Sequence, residues 1–104
     1  MLKVSVARRY YYDTVPVSEI FKVAEPTALH APAIEKFRKA IRAGEKIPSL
    51  VVIEISDVGR QRLLEGGKYT PTSKQKYWLE NGHHRLAAYE AEGYTEVPVV
   101  VYPW

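Results

Sequence analysis

The sequence predicts one compact domain that mixes strands and helices. Three observations predict it. The chain has 104 residues, which allows one domain with a single modest core. Hydrophobic residues make up 46% and charged residues 26%, the balance of a globular protein rather than of a disordered or membrane-spanning one. Apolar periodicity and turn residues divide the chain in the order strand, helix, strand, strand, helix, strand, the pattern of an α/β or α+β domain.

The elements follow in order. Residues 3–12 are rich in β-branched and aromatic types and predict a strand. Val15-Pro16-Val17 predicts a short extended piece, because proline removes a ladder donor. Glu25-Pro26-Thr27 predicts a turn. Residues 32–43 predict a helix: Pro32 suits the first turn, Ile34, Phe37 and Ile41 form a core stripe, and Gly44 supplies the stop. The apolar run 50–55 predicts a buried strand. Residues 59–73 predict a short helical turn around Arg62-Leu63-Leu64 and then an exposed loop, punctuated by Gly66-Gly67 and Pro71. Residues 76–79 predict a strand, with Trp78 in the core; 83–92 predict a helix ended by Gly93, and 97–102 a final strand. No repeat, low-complexity tract or linker divides residues 1–104, so a single domain is expected, with a basic loop insertion at about 59–76.

Composition removes several function classes. There is no cysteine, which excludes disulfides, zinc–thiolate centres and cysteine nucleophiles. No apolar run is long enough to cross a bilayer, and the first residues lack the pattern of a signal peptide, so a cytoplasmic location without membrane contact is expected. The formal net charge of +3 is unevenly spread. Residues 59–76 hold Arg60, Arg62, Lys68, Lys74 and Lys76 against the single acid Glu65, a local +4, while the rest sums to −1. Such an excess is a candidate nucleic-acid footprint; its plain alternative is a solvated loop. Arg8-Arg9 followed by Tyr10-Tyr11-Tyr12 interleaves cations and aromatics as base-stacking surfaces do, although a strand with tyrosines along one face explains it equally.

The strongest chemical signal is Leu79-Glu80-Asn81-Gly82-His83-His84-Arg85, a predicted strand-to-helix turn. Gly82 lets the backbone turn sharply and approach a ligand. The first amides of the following helix lack internal partners and sit at the positive end of its dipole. Arg85, within the first turn, offers a guanidinium fork, and His83 and His84 offer imidazole donors. The candidate phosphate-binding residues are therefore Gly82, His83, His84 and Arg85. The plain alternatives are a capping or core role for His84 and an ion pair from Arg85 to Glu80 or Glu90. Adjacent histidines at a helix start diverge by about 100°, the H-E-x-x-H pattern is absent, and His30 is the one other histidine, so no metal-histidine site is expected.

The run 77–88, followed by Gly93 and Val97-Pro98-Val99, resembles the signature of the ParB/sulfiredoxin superfamily, in which a strand runs into a G-x-x-R turn and a helix, then a short loop and a final strand. Val15-Pro16-Val17 is similar to that family's opening strand, and residues 32–52 to its helix, glycine, proline and strand. The resemblance implies a small mixed sheet with packed helices, an α+β fold. It implies phosphate contacts at the Gly82–Arg85 turn and places Pro48 and Ser49 near a base. It also implies nucleotide binding, with magnesium as the accompanying ion, and phosphoryl transfer or nucleotide hydrolysis as the reaction class. This sequence departs from the family pattern in carrying His83 where ParB proteins have an acid and sulfiredoxins their cysteine, and Asn81 where serine-kinase-like members often have aspartate. Should the domain be an enzyme, Glu19 and His84 are the candidate acid–base groups, with Glu25 and Glu80 as further carboxylates. At this length neither the helix-turn-helix domain nor the dimerisation tail of chromosomal ParB proteins is expected. The rival readings are a DNA-binding module or ParB-like nuclease gripping the backbone through residues 59–76, and a non-catalytic module that binds a protein partner.

Overall fold

The computed structural model describes residues 9–23 and 29–104. Five strands form one mixed sheet: β1 (Tyr11–Pro16), β2 (Ile20–Phe21), β3 (Leu50–Glu54), β4 (Tyr77–Asn81) and β5 (Glu96–Pro103). Three α-helices accompany it: α1 (Ala31–Arg42), α2 (Asp57–Gly66) and α3 (His83–Ala91). The spatial order is β1-β5-β3-β4-β2. β5 runs antiparallel to β1 and parallel to β3, and β4 runs antiparallel to β3 and parallel to β2. The fold is thus α+β.

Alternation along the strands decides which side is closed. Leu50, Val52, Leu79, Val97, Val99 and Val101 are fully buried and point to one side, where Leu86 and Tyr89 of α3 meet them and Ile41 of α1 packs alongside. The intervening residues point to the other side, which the two helices leave open. Burying about six such side chains contributes on the order of 1.5–3 kcal/mol each before entropy is counted. α1 and α3 are also tied by ions: Arg38 and Arg42 both reach Glu92, at 2.7 and 3.3 Å.

Several expectations need correction. The extended piece at 15–17 is the far end of a strand that begins at Tyr11, and Val17 opens a 3-10 turn, Val17–Glu19. β1 lies at the sheet edge, where proline is tolerated, so Pro16 does not interrupt it. Residues 3–8 of the expected first strand, and the Glu25-Pro26-Thr27 turn, lie outside the described residues. Half of the expected basic loop is helical: α2 starts at Asp57, capped by the Ser56 hydroxyl, which accepts from the Gly59 amide at 3.0 Å, and stops at Gly67, whose φ is +72°. Trp78 is not core. It points to the open side, half-buried, with its ring against Phe21 and Tyr69 at 5.7 and 5.3 Å.

Candidate functional site

The Gly82 turn forms because β4 must hand its chain to α3 within one residue. Gly82 adopts φ +108°, a left-handed conformation that other residues take only under strain. The space is also closed to a side chain. A Cβ there would lie 3.0 Å from Leu50 Cγ and 3.1 Å from Arg85 Nη2. A register shift in the β3–β4 ladder sits next to this corner, with Val51 opposite Asn81 and Val52 opposite Leu79, so that Glu80 is the extra residue. Bulges of this kind re-aim side chains beside functional sites.

A cavity of about 820 Å³ opens at the turn, of a size that accommodates a nucleotide. It brings together all the predicted phosphate residues, Gly82, His83, His84 and Arg85, with both predicted base-side residues, Pro48 and Ser49. Leu29, Phe37, Val51 and Asn81 complete the lining. Phe37 had a signal in its helical spacing, but that spacing reads as core; Leu29 and Val51 had none that separates them from other apolar residues.

Arg85 is held differently from the expectation. Its Nη1 donates to the carbonyl oxygens of Pro48 and Ser49, both at 2.9 Å, and its Nη2 lies 3.4 Å from Asn81 Oδ1. The alternative reading, an ion pair with Glu80 or Glu90, gives way to this clamp; Glu90 pairs instead with Lys22 at 2.8 Å. Arg85 therefore fastens the chain before β3 onto the turn. Burial pulls its pKa below the usual arginine value, and no carboxylate contributes to offset that loss of solvation. Beside it, the helix start has no side-chain cap. The amides of His83, His84 and Arg85 precede the first intrahelical bond, which runs from the Leu86 amide to the Gly82 carbonyl.

The two histidines differ. His84 Nε2 accepts from the backbone amide of His30 at 3.0 Å, so in that arrangement Nε2 is unprotonated and the ring joins the starts of α1 and α3. His83 Nε2 is buried without a hydrogen-bond partner among the described residues. Burial, then neighbouring His84 and Lys22, push its pKa down, against a weaker upward pull from Glu80. His83 is thus held as the neutral ring at neutral pH.

The remaining candidates lie elsewhere. Glu19 ends the 3-10 turn next to Tyr77 and does not line the cavity. Arg60 is engaged by its own loop: its guanidinium donates to the carbonyls of Thr72 and Gln75 at 2.8 Å and of Pro71 at 3.4 Å, so it pins the α2–β4 connection. Lys68 lies over the Tyr69 ring, 5.3 Å from its centroid, and Arg62, Lys74 and Lys76 are exposed. Among the described residues no group of three or more His, Cys, Asp or Glu side chains is arranged to hold a metal ion. No described helix is long and apolar enough to cross a membrane.

No family model matches the chain, and no curated protein does. Solved structures do. A Pnob8-like ParB-N domain overlays with a TM-score of 0.61 at 17% identity, over 92% of this chain and 31% of the other. A conserved hypothetical protein from Pyrococcus furiosus gives 0.61 at 16% identity, over 86% and 31%. SbnI with a C-terminal truncation, from Staphylococcus aureus, gives 0.52 at 23% identity, over 85% and 29%. The chain spans about three-tenths of the length of these proteins. With five strands in a curled mixed sheet and α1 and α3 packed on one side, the fold of this chain is similar to that of the ParB-N domains.

Proposed function

We propose that the cavity at the Gly82 turn binds the phosphates of a nucleotide, with the base directed toward Pro48 and Ser49. The observation that carries this reading is the half-buried guanidinium of Arg85, which has no carboxylate partner among the described residues and stands beside a helix start without a side-chain cap. A positive centre in that position lacks its counter-charge, and a phosphate supplies one while accepting from the free amides. The likeness to ParB-N domains supports a nucleotide or nucleic-acid ligand over other anions.

The lining does not fit a protein-held magnesium ion. Among the described residues it offers imidazoles, an amide, a hydroxyl and a guanidinium, and no carboxylate, whereas magnesium takes oxygen ligands and at least one acid. The same gap leaves phosphoryl transfer without a general base in the cavity, because His84 Nε2 is engaged and His83 Nε2 is buried.

Thermal shift with a panel of nucleoside triphosphates and diphosphates, and with inorganic tripolyphosphate, tests the proposal. Ligand at a hundred times its dissociation constant adds about 2.7 kcal/mol. Arg85→Gln should keep its circular dichroism and lose the shift. Ser49→Asp, which places a negative charge in the lining beside the Arg85 guanidinium, should lose it as well. Equal shifts in wild type and both variants, or no shift with any phosphate compound, would sink the reading.

A further inference from the structure

We infer that the open side of the sheet is a base-stacking surface for single-stranded nucleic acid, adjoining the phosphate cavity through Val51 but built on aromatic rings that cavity does not hold. Strand alternation collects aromatic rings there. At one end Tyr12 is 72% exposed, and Tyr10 bridges it to Tyr102, with centroids 6.2 and 5.3 Å away. At the other end Trp78 stacks on Phe21 and Tyr69. Between the two groups lies a cavity of about 750 Å³ whose walls include Trp78, Tyr102, Trp104 and Ile53.

This surface is built rather than left over. Trp104 is seated on α2 at Gly59, where a Cβ would come within 2.5 Å of the indole, so the glycine makes room for the ring. A preset ring loses little freedom on stacking.

Charge selects the occupant. Among the described residues the ion pairs lie on the helix side: Arg38 and Arg42 with Glu35 and Glu92, and Lys22 with Glu90. On the open side Lys46 flanks Tyr12 in a hollow of about 710 Å³, and Lys68 covers Tyr69, neither with an ion pair among the described residues. Glu80 is the one carboxylate of the central cavity, and it can accept from the amino groups of bases. Rings in a row with lysines at both ends suit splayed bases and a backbone on the rim, which is the single-strand arrangement. A duplex hides its bases, and a second copy of this chain would bring like-charged lysines together.

Both tryptophans of the chain, Trp78 and Trp104, line this cavity, so intrinsic fluorescence reports on it selectively. A labelled single strand of mixed sequence, about 12 nucleotides long, should quench that fluorescence and bind by anisotropy, more tightly than its duplex. Replacing Tyr12 and Tyr102 together by alanine should weaken binding by at least about tenfold. Lys46→Gln with Lys68→Gln should lower the salt slope by about two. Gly59→Ala, which displaces the Trp104 ring, should weaken binding and change the unbound emission. The tyrosine double variant should keep the thermal shift with tripolyphosphate, because neither Tyr12 nor Tyr102 lines the phosphate cavity. Unchanged affinity in the tyrosine double variant, equal affinity for duplex, or self-association with no oligonucleotide binding would each overturn the inference.

Discussion

At Arg85 one side chain does two things. It closes two carbonyls that precede β3, and it leaves a positive centre without a carboxylate at the helix start. Hydrogen bonds to charged groups contribute about 1.5–3 kcal/mol, so Arg85→Gln should lower urea stability by roughly that amount while the fold persists. Gly82→Ala is expected to cost about 1–3 kcal/mol, because the left-handed backbone and the nearby Leu50 side chain both oppose a Cβ. A Gly82→Ala protein as stable as wild type in urea would mean that the turn relaxes.

His83 adds a pH dependence with a definite sign. Its folded pKa lies below the ordinary 6.5, so between those two values the unfolded chain binds more protons than the folded one. Its contribution is therefore full above about pH 6.5 and is lost as pH falls through the lower, folded value. The melting temperature should drop on acidification from neutral pH, and His83→Leu should flatten that drop, since it removes a buried nitrogen with no partner. A slope unchanged in His83→Leu would mean that His83 does not carry it.

At the scale of elements, α2 carries the clearest test. Ser56→Ala removes the cap on the Gly59 amide and should cost about 1 kcal/mol by denaturant titration. Arg60→Ala should leave α2 in place but loosen the loop that Arg60 holds at three carbonyls, seen as faster amide exchange over residues 71–76. These two outcomes distinguish a helix that needs its cap from a loop that needs its pin. They also explain why the sequence under-reads this region. Its apolar residues are few, and its signals are local ones: a serine before the first turn, and a glycine pair that is a helix stop as well as a loop marker. β2 shows the same limit, because two residues are too few to display a period.

At the scale of the whole molecule the deciding feature among the described residues is a sheet that α1 and α3 cover on one side. Helices α1 and α3 cover the valine and leucine side and, by meeting through Glu92 and His84, hold the turn cavity between them. A double-mutant cycle on Arg38 and Glu92 should give a coupling of about 1 kcal/mol or less, screened by salt, because the arginine is 35% exposed. A larger, salt-insensitive coupling would mean that ions, rather than the buried sheet side, hold the helices on.

By itself the sequence determined the elements with strong local signatures: α1 with its proline start and Gly44 stop, β3, and above all the Asn81-Gly82-His83-His84-Arg85 corner. Periodicity, caps and left-handed glycines act over a few residues, so they are readable without coordinates. What only the tertiary structure decided is how distant residues share a place. Arg85 meets carbonyls 36 and 37 residues away, and Phe37, Pro48 and Ser49 meet the turn in one cavity. Trp78 and Trp104 come to one side of the sheet. Strand order and pairing register set these meetings, and both are global properties: a one-residue slip would send every side chain to the opposite side.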